Sequence, residues 1–110
     1  MADAKGSPPA VKYLTAGEVR RLLAESILPE QLKRGDLAET VKKREHFDPP
    51  PAQEPLCTWS EMVEWKDRMG ARIALLHRYL RPDGKIGASG KPDPKELRLG
   101  GVTYRVRAPD

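Results

Sequence analysis

The residues of this chain that could do chemistry are one cysteine, two histidines, a few serines and a glycine-rich loop that contains lysine. Cys57 directly precedes a predicted helix N-terminus at Thr58, a setting that favours a reactive thiolate, but no base partner accompanies it in the sequence. His46 and His77 lie in different predicted elements and lack the ligand spacing of a metal site such as H-E-x-x-H. Ser60 lacks the pattern of a nucleophile elbow. We therefore predict no catalytic residue, no metal site and no cofactor, and we expect that the protein is not an enzyme.

The loop from Gly84 to Lys91 resembles a phosphate-binding loop in composition, because glycine amides and a lysine can hold an anion. A P-loop requires four residues between its glycines and a Ser or Thr after the lysine. Here Gly84 and Gly90 enclose five residues, and Pro92 follows Lys91. The spacing argues against a nucleotide site and leaves two interpretations, a structural loop or a loop that contacts a partner.

A second candidate is a stripe formed by Arg68, Arg72, Leu75 and Tyr79, which follow one another at spacings of four, three and four. On a helix this spacing places all four side chains on one face, where guanidinium groups alternate with apolar and aromatic surface. Arginine and tyrosine are enriched at interface cores. The alternative is that Leu75 and Tyr79 pack beneath neighbouring elements while the arginines remain solvated.

The net charge of +4 is concentrated near the C-terminus. Residues 1–80 hold 13 Lys/Arg against 12 Asp/Glu, whereas residues 81–110 hold 7 against 4. A local basic excess of this size is compatible with nucleic acid or with an acidic protein surface as the partner. Together with the stripe, it predicts a binding surface made of Arg68, Arg72, Leu75, Tyr79, Arg81, Lys85, Lys91, Lys95, Arg98, Arg105 and Arg107.

One long amphipathic helix over residues 58–81 is expected to position the stripe. The segment from Thr58 to Glu61 has the form of a capping box, and Pro82 ends the pattern. At about 100° per residue one face would carry the apolar side chains Trp59, Met62, Trp65, Met69, Ile73, Leu76 and Leu80. That face is predicted to be the core, and Glu61 and Glu64 are predicted to face solvent.

The N-terminal half is expected to form a helical unit. Residues 1–12 are predicted to be a disordered tail, and a capping box from Thr15 to Glu18 opens a helix within a unit that spans residues 13–46. A similar cap pattern from Asp36 to Glu39 predicts a second helix. Four prolines between Phe47 and Pro55 make residues 47–57 a semi-rigid connector.

The C-terminal part is predicted to be a loop followed by a hairpin. Residues 82–96 are rich in glycine and proline, and residues 97–107 alternate apolar with polar side chains around Gly100 and Gly101. The predicted fold is therefore a single α+β domain, mostly α, over residues 13–110. It comprises an N-terminal helical hairpin, a proline-rich connector, one long amphipathic helix and a C-terminal β-hairpin.

These features predict a small, non-enzymatic binding or accessory protein that binds nucleic acid through its basic C-terminal segment and the helix stripe. The alternative is a protein-protein interaction module, such as an inhibitor or adaptor encoded by a phage or mobile element, which would use the Arg/Leu/Tyr face. A homodimer through the long helix is a third arrangement. The chain has one cysteine and no apolar run of membrane-spanning length, so a cytoplasmic location and no membrane partner are expected.

Overall fold

A computed structural model of the chain describes residues 10–87 and 90–107, and within them the protein is mostly β, with 45% strand and 21% helix. The prediction of a mostly α fold is therefore wrong. The elements, in chain order, are β1 Ala10–Leu14, α1 Ala16–Glu25, α2 Leu28–Arg34, β2 Ala38–Glu45, a short 3₁₀ helix Pro51–Gln53, β3 Trp59–Lys66, β4 Arg72–Leu80, β5 Asp93–Leu99 and β6 Val102–Val106.

The six strands form one sheet in the order β1-β6-β5-β4-β3-β2. Strands β2 to β6 run antiparallel to their neighbours as a meander, and β1 pairs in parallel with β6. The two helices connect β1 at one edge to β2 at the other, so the crossover spans the whole width of the sheet. Strands that are distant in the sequence therefore contribute to the same two faces.

The expected helix over residues 58–81 is instead the hairpin of β3 and β4. Its turn is stabilised by the Asp67 carboxylate, which accepts hydrogen bonds from the backbone N–H groups of Met69 and Ala71. Gly70 completes the turn at a φ of 84°, a value that side chains disfavour. Because the chain reverses here, Met69 lies at the tip with 91% of its surface exposed, whereas the helical pattern had placed it in the core.

The expected helix beginning at Asp36 is instead the edge strand β2. Gly35 ends α2 in the left-handed conformation; its N–H donates to the Leu32 carbonyl, and the N–H of Asp36 donates to the Gln31 carbonyl. The chain then leaves in an extended direction, and Thr40 and Val41, which are β-branched, pair with β3. A bulge between Val41 and Lys43 shifts the register.

At the N-terminus the structure confirms the capping box of α1, in which Thr15 and Glu18 satisfy each other's backbone N–H groups. The predicted tail is wrong where it meets the fold, since Ala10–Leu14 forms β1. Residues 1–9 of that predicted tail lie outside the described residues. At the other end, β5 and β6 pair around Gly100 and Gly101, in the segment where a hairpin was expected.

Both helices lie on one face of the sheet, which we call the helix-side face. Val19 and Leu23 of α1 and Leu28 of α2 pack with buried strand residues into a single core, whose strand members are Val63, Trp65, Ala74, Leu76 and Leu97. Residues paired across strands share a face, and successive residues alternate between faces. The registers therefore place on the opposite face the side chains that alternate with these core members, among them Glu64, Leu75 and Glu96.

Beside the core, the helix-side face also carries a buried ionic network across β2, β3 and β4. Glu61 is fully buried and accepts hydrogen bonds from Arg44 Nε at 2.6 Å and from Arg78 Nε at 2.8 Å. Arg78 also donates to Glu39, which accepts from the Trp65 indole N–H at 2.9 Å. The prediction that Glu61 faces solvent is therefore wrong.

The loops at the end of the sheet where β3 begins and β4 ends are joined by a second buried carboxylate. Glu54, in the connector, accepts a hydrogen bond from Arg81 Nε at 2.7 Å, and Gly87 lies so close to Glu54 that a side chain there would overlap the carboxylate. Connector and loop thus close over one end of the sheet. None of the described helices is long and apolar enough to cross a membrane.

Candidate nucleic-acid interface

The face of the sheet opposite the helices, which we call the open face, carries most of the polar chemistry of the molecule. Neither α1 nor α2 packs on this face, because their buried residues belong to the core on the other one. Two carboxylates nonetheless lie buried at its centre, Glu64 on β3 with 3% of its surface exposed and Glu96 on β5 with 6%. Both are covered by the long side chains of surrounding lysines and arginines.

Glu64 is held by three cations. The Arg72 guanidinium donates to its Oε2 at 2.5 Å, while Lys66 Nζ and Lys42 Nζ lie 3.5 Å and 3.9 Å from its Oε1. The hydrogen bond from Arg72 is the main cause that lowers the pKa of Glu64; burial opposes it, and Lys42 adds to it. Glu64 is therefore a permanent anion at neutral pH, and the prediction that it faces solvent is wrong.

Three of the arginines predicted from the sequence lie around Glu96. Arg105 Nε donates to its Oε1 at 2.9 Å, whereas Arg72 Nη1 and Arg98 Nε lie 3.8 Å and 3.9 Å from its Oε2. The hydrogen bond to Glu96 raises the pKa of Arg105. Arg72 thus contacts both carboxylates and joins the two groups into one cluster.

This open-face cluster has a clear charge excess. Five cations surround two carboxylates, which leaves three positive charges at the centre of the open face: the cations are Lys42, Lys66, Arg72, Arg98 and Arg105. Near the margins of the cluster Lys43 pairs with Glu45, and Asp93 pairs with both Lys95 and Arg20, so no negative charge is in excess in these groups. The central excess is therefore not cancelled by its neighbours.

Aromatic and imidazole rings lie on the same face. His77 and Tyr79 alternate with Arg78 along β4, and their rings meet edge to face with centroids 4.7 Å apart. Leu75 lies opposite both Glu64 and Glu96 in the strand registers, beside the cluster. Tyr13 pairs with Arg105 in the parallel register and is 57% exposed. The open face thus combines fixed positive charge with flat apolar rings.

Ser60 on β3 and His77 on β4 are in hydrogen-bond contact, with Ser60 Oγ 2.7 Å from His77 Nε2. This is the geometry of a nucleophile and its base. Among the described residues, however, no carboxylate hydrogen-bonds to the His77 ring, so the third member of a triad is not present there. Burial is the main cause that lowers the pKa of His77, and Lys95 lowers it further while Asp93 opposes both.

We therefore expect His77 to be neutral at pH 7 and to titrate below its ordinary value of 6.5. Since the unfolded chain then binds the proton more readily than the folded one, His77 should reduce stability as the pH falls below 6.5. An NMR titration of the imidazole protons measures this value directly. A midpoint at or above 6.5 would show that the ring is not buried as described.

The remaining predicted binding residues are dispersed. Arg68 lies in the β3–β4 turn and pairs with Asp36 at 3.0 Å, and Arg81 is occupied by Glu54. Lys85 and Lys91 lie in the loop between β4 and β5, and Arg107 follows β6. Of the stripe, Arg72, Leu75 and Tyr79 do share the open face, because the bulge between β3 and β4 compensates for their odd spacing. Arg68 does not lie on it, and the helix proposed for dimerisation does not form.

A small cleft adjoins this face where β4 extends beyond β5. It has a volume of about 390 Å³, and its lining includes His77, Tyr79, Gly87 and Lys91. The glycine loop and His77 therefore meet, whereas Cys57 is not part of the lining and is exposed. Within residues 10–87 and 90–107 no three His, Cys, Asp or Glu side chains are grouped so that they could hold a metal ion.

Sequence reasoning missed the two carboxylates and the two lysines of the cluster. Glu64 and Lys66 are two residues apart, the spacing of one strand face, and Lys42 lies on an edge strand that was interpreted as a helix. The signal that could have revealed them is Asp67-Arg-Met-Gly70, a four-residue turn pattern with Asp first and Gly last. Recognising that turn would have divided the long segment into two strands.

The chain was also compared with known protein families, curated proteins and solved structures, and none of these comparisons found a match.

Proposed function

We propose that this protein is a small, non-enzymatic binding protein whose open face binds single-stranded nucleic acid. The observation that carries this proposal is the open-face cluster, in which five cations surround two buried carboxylates and leave three positive charges in excess. A surface with excess positive charge attracts the phosphate groups of nucleic acid, and their neutralisation supplies a large share of the affinity of nucleic-acid-binding proteins.

The rings favour a single strand over a duplex. Proteins that bind single strands combine a basic surface along the backbone with aromatic side chains on which bases stack. Tyr79, His77 and Tyr13 supply such rings beside the cluster. A duplex would keep its bases stacked inside, so these rings would gain nothing from it, and the open face presents no helix to enter a groove.

The buried carboxylates have a role in this scheme because they order the arginines before any ligand binds. Arg72 and Arg105 each make a short hydrogen bond to Glu64 or Glu96, so their guanidinium groups lose little conformational freedom on binding. Lys66 and Arg98 make no hydrogen bond to these carboxylates and are the more available cations. Removing Arg72 or Arg105 should therefore disturb the buried carboxylates as well as ligand binding, whereas removing Lys66 or Arg98 should affect ligand binding alone.

Fluorescence polarisation with labelled 12-nucleotide single strands of DNA and RNA, titrated between 50 and 200 mM salt, tests the proposal. With three phosphates neutralised, the logarithm of affinity should fall with the logarithm of salt at a slope of about −2. Lys66→Ala combined with Arg98→Ala should reduce that slope by about 1.4 and weaken binding at least about tenfold at 50 mM salt. The hydrogen bonds of Arg72 and Arg105 to the carboxylates should survive, so the fold should persist.

A matched control removes two positive charges from the other side of the molecule. Arg21→Ala combined with Lys33→Ala changes the net charge equally but lies on α1 and α2. It should leave nucleic-acid binding nearly unchanged. No retention of either single strand at 50 mM salt, or an equal loss in both double variants, would overturn the proposal.

An acidic protein surface is the alternative partner, and it would use the same charge excess. It would not depend on stacking, so Tyr79→Leu should weaken binding of a single strand and leave binding of an acidic peptide unchanged.

We place the protein in the cytoplasm, since its only cysteine, Cys57, is free and exposed, which suits a reducing compartment.

A further inference from the structure

A second cavity, larger than the cleft beside His77, lies on the helix-side face, and nothing in the proposed nucleic-acid interface uses it. It has a volume of about 880 Å³, within the range of small-molecule sites. Its walls come from α1 and α2 on one side and from the loop before β5 on the other, and Trp65 contributes to its floor. The contacts of α1 with the sheet are concentrated on β5, and α2 makes few contacts with any strand.

The lining of this cavity is apolar, with a cationic rim. Eight of its fourteen residues are apolar, among them Leu23, Leu32, Trp65 and Ile86. Five are lysine or arginine, and a single one, Glu39, is acidic. The Glu39 carboxylate is already satisfied, because it accepts hydrogen bonds from Trp65 and Arg78 at 2.9 Å each.

Two of the rim cations form no ion pair with any of the carboxylates that the structure describes. Arg21 on α1 and Lys33 on α2 are both exposed, and no described carboxylate lies within ion-pair distance of either. Arg20 and Arg78, by contrast, are paired with Asp93 and Glu61. The positive charge that can attract a ligand therefore lies on α1 and α2, at the mouth of the apolar cavity.

We propose that this cavity binds a small amphipathic anion, that is, an apolar chain or ring carrying one carboxylate or phosphate. The apolar body would lie against Leu23, Leu32 and Trp65, where its apolar surface is removed from water. The head group would lie between Arg21 and Lys33 at the mouth. A cationic head group would be repelled there, and a neutral one would gain only the apolar contacts.

Decanoate is a suitable probe, with decanol and decyltrimethylammonium as neutral and cationic controls of the same chain length. Binding would be followed by Trp65 fluorescence in a Trp59→Phe background, so that a single indole reports, and by calorimetry on the unmodified protein. Decanoate should bind best. Arg21→Ala combined with Lys33→Ala should weaken decanoate roughly tenfold and leave decanol unchanged.

Ala24→Phe provides a second test, because Ala24 lines the cavity and a larger ring there should exclude all three probes. Lys66→Ala combined with Arg98→Ala serves as the matched control and should not affect decanoate. Equal binding of the three probes, no binding of decanoate, or unchanged binding in the Ala24→Phe protein would overturn this assignment. None of these results would bear on nucleic-acid binding, since the two double variants lie on opposite faces.

Discussion

Replacing Glu61 with alanine is expected to lower the free energy of unfolding by about 3–5 kcal/mol. Glu61 is fully buried and accepts hydrogen bonds from both Arg44 and Arg78. Its removal would leave the Arg78 guanidinium, which is largely buried, with Glu39 as its remaining partner. Breaking a buried ion pair on one side is far more damaging than losing an exposed pair, because the other charge stays desolvated.

Urea denaturation measures this loss, and Glu45→Ala supplies the control. Glu45 pairs with Lys43 on the same sheet, but both side chains are substantially exposed, so the change should be within about 1 kcal/mol. If Glu61→Ala cost no more than Glu45→Ala, the buried network would not exist as described.

The same residue predicts an acid transition. Burial alone would raise the pKa of Glu61, but the hydrogen bonds from Arg78 and Arg44 outweigh it and hold that pKa below its ordinary value of 4.5. The unfolded chain therefore binds this proton more readily than the folded one. The stability contributed by Glu61 is complete above about pH 4.5 and is lost as the pH falls through the lower, folded value. In the Glu61→Ala protein the loss of stability in this range should be shallower.

Replacing Leu76 with alanine is expected to cost about 2–5 kcal/mol, whereas Met69→Ala should cost less than about 0.5 kcal/mol. Leu76 is fully buried beneath the helices, and its truncation would leave a cavity in the core. Met69 is 91% exposed at the tip of the β3–β4 turn. A helix over this segment would have buried both side chains on one face.

This pair of variants therefore tests the fold itself, again by urea denaturation. Similar losses for Leu76→Ala and Met69→Ala would contradict the hairpin and support a helix. Circular dichroism on the unmodified protein provides an independent check, because it should be dominated by strand.

The long helix was predicted wrongly because neither face of β3 is uniformly apolar or uniformly polar. A half-buried strand usually alternates apolar and polar side chains, but here Glu61 lies on the helix-side face among core residues, and Met62 lies on the open face between Ser60 and Glu64. The period of two is thereby lost. The apolar residues that remain coincide with helical spacing, and the buried carboxylate becomes visible only through its partners on β2 and β4.

Strand β2 shows a different limit of sequence reasoning. Its composition, Ala-Glu-Thr-Val-Lys-Lys-Arg-Glu, suits an exposed helix as well as an exposed edge strand, since nearly all of it faces solvent. What decides between the two is its pairing with β3, a tertiary contact. By contrast, the cap of α1 is a local feature, and the sequence was sufficient to locate Thr15 and Glu18.

The candidate interface was partly predictable from the sequence, because some of its features do not depend on tertiary contacts. Positive charge is a property of composition, so Arg72, Arg98 and Arg105 could be selected without knowing the fold. Their convergence on Glu96 depends on β4, β5 and β6 lying side by side. The carboxylates at the centre were missed because glutamate is normally exposed, and only the surrounding cations make its burial tolerable.

The open face, and not the helix-side face, is expected to contact the nucleic acid. Methyl NMR on protein labelled with ¹³C at methionine and leucine methyl groups tests this expectation most directly. Met62 and Leu75 report on the open face, and Leu23 and Leu32 report on the cavity. On addition of a 12-nucleotide single strand at 50 mM salt, we predict shifts at Met62 and Leu75 with Leu23 and Leu32 unmoved; shifts confined to Leu23 and Leu32, or none at all, would contradict it.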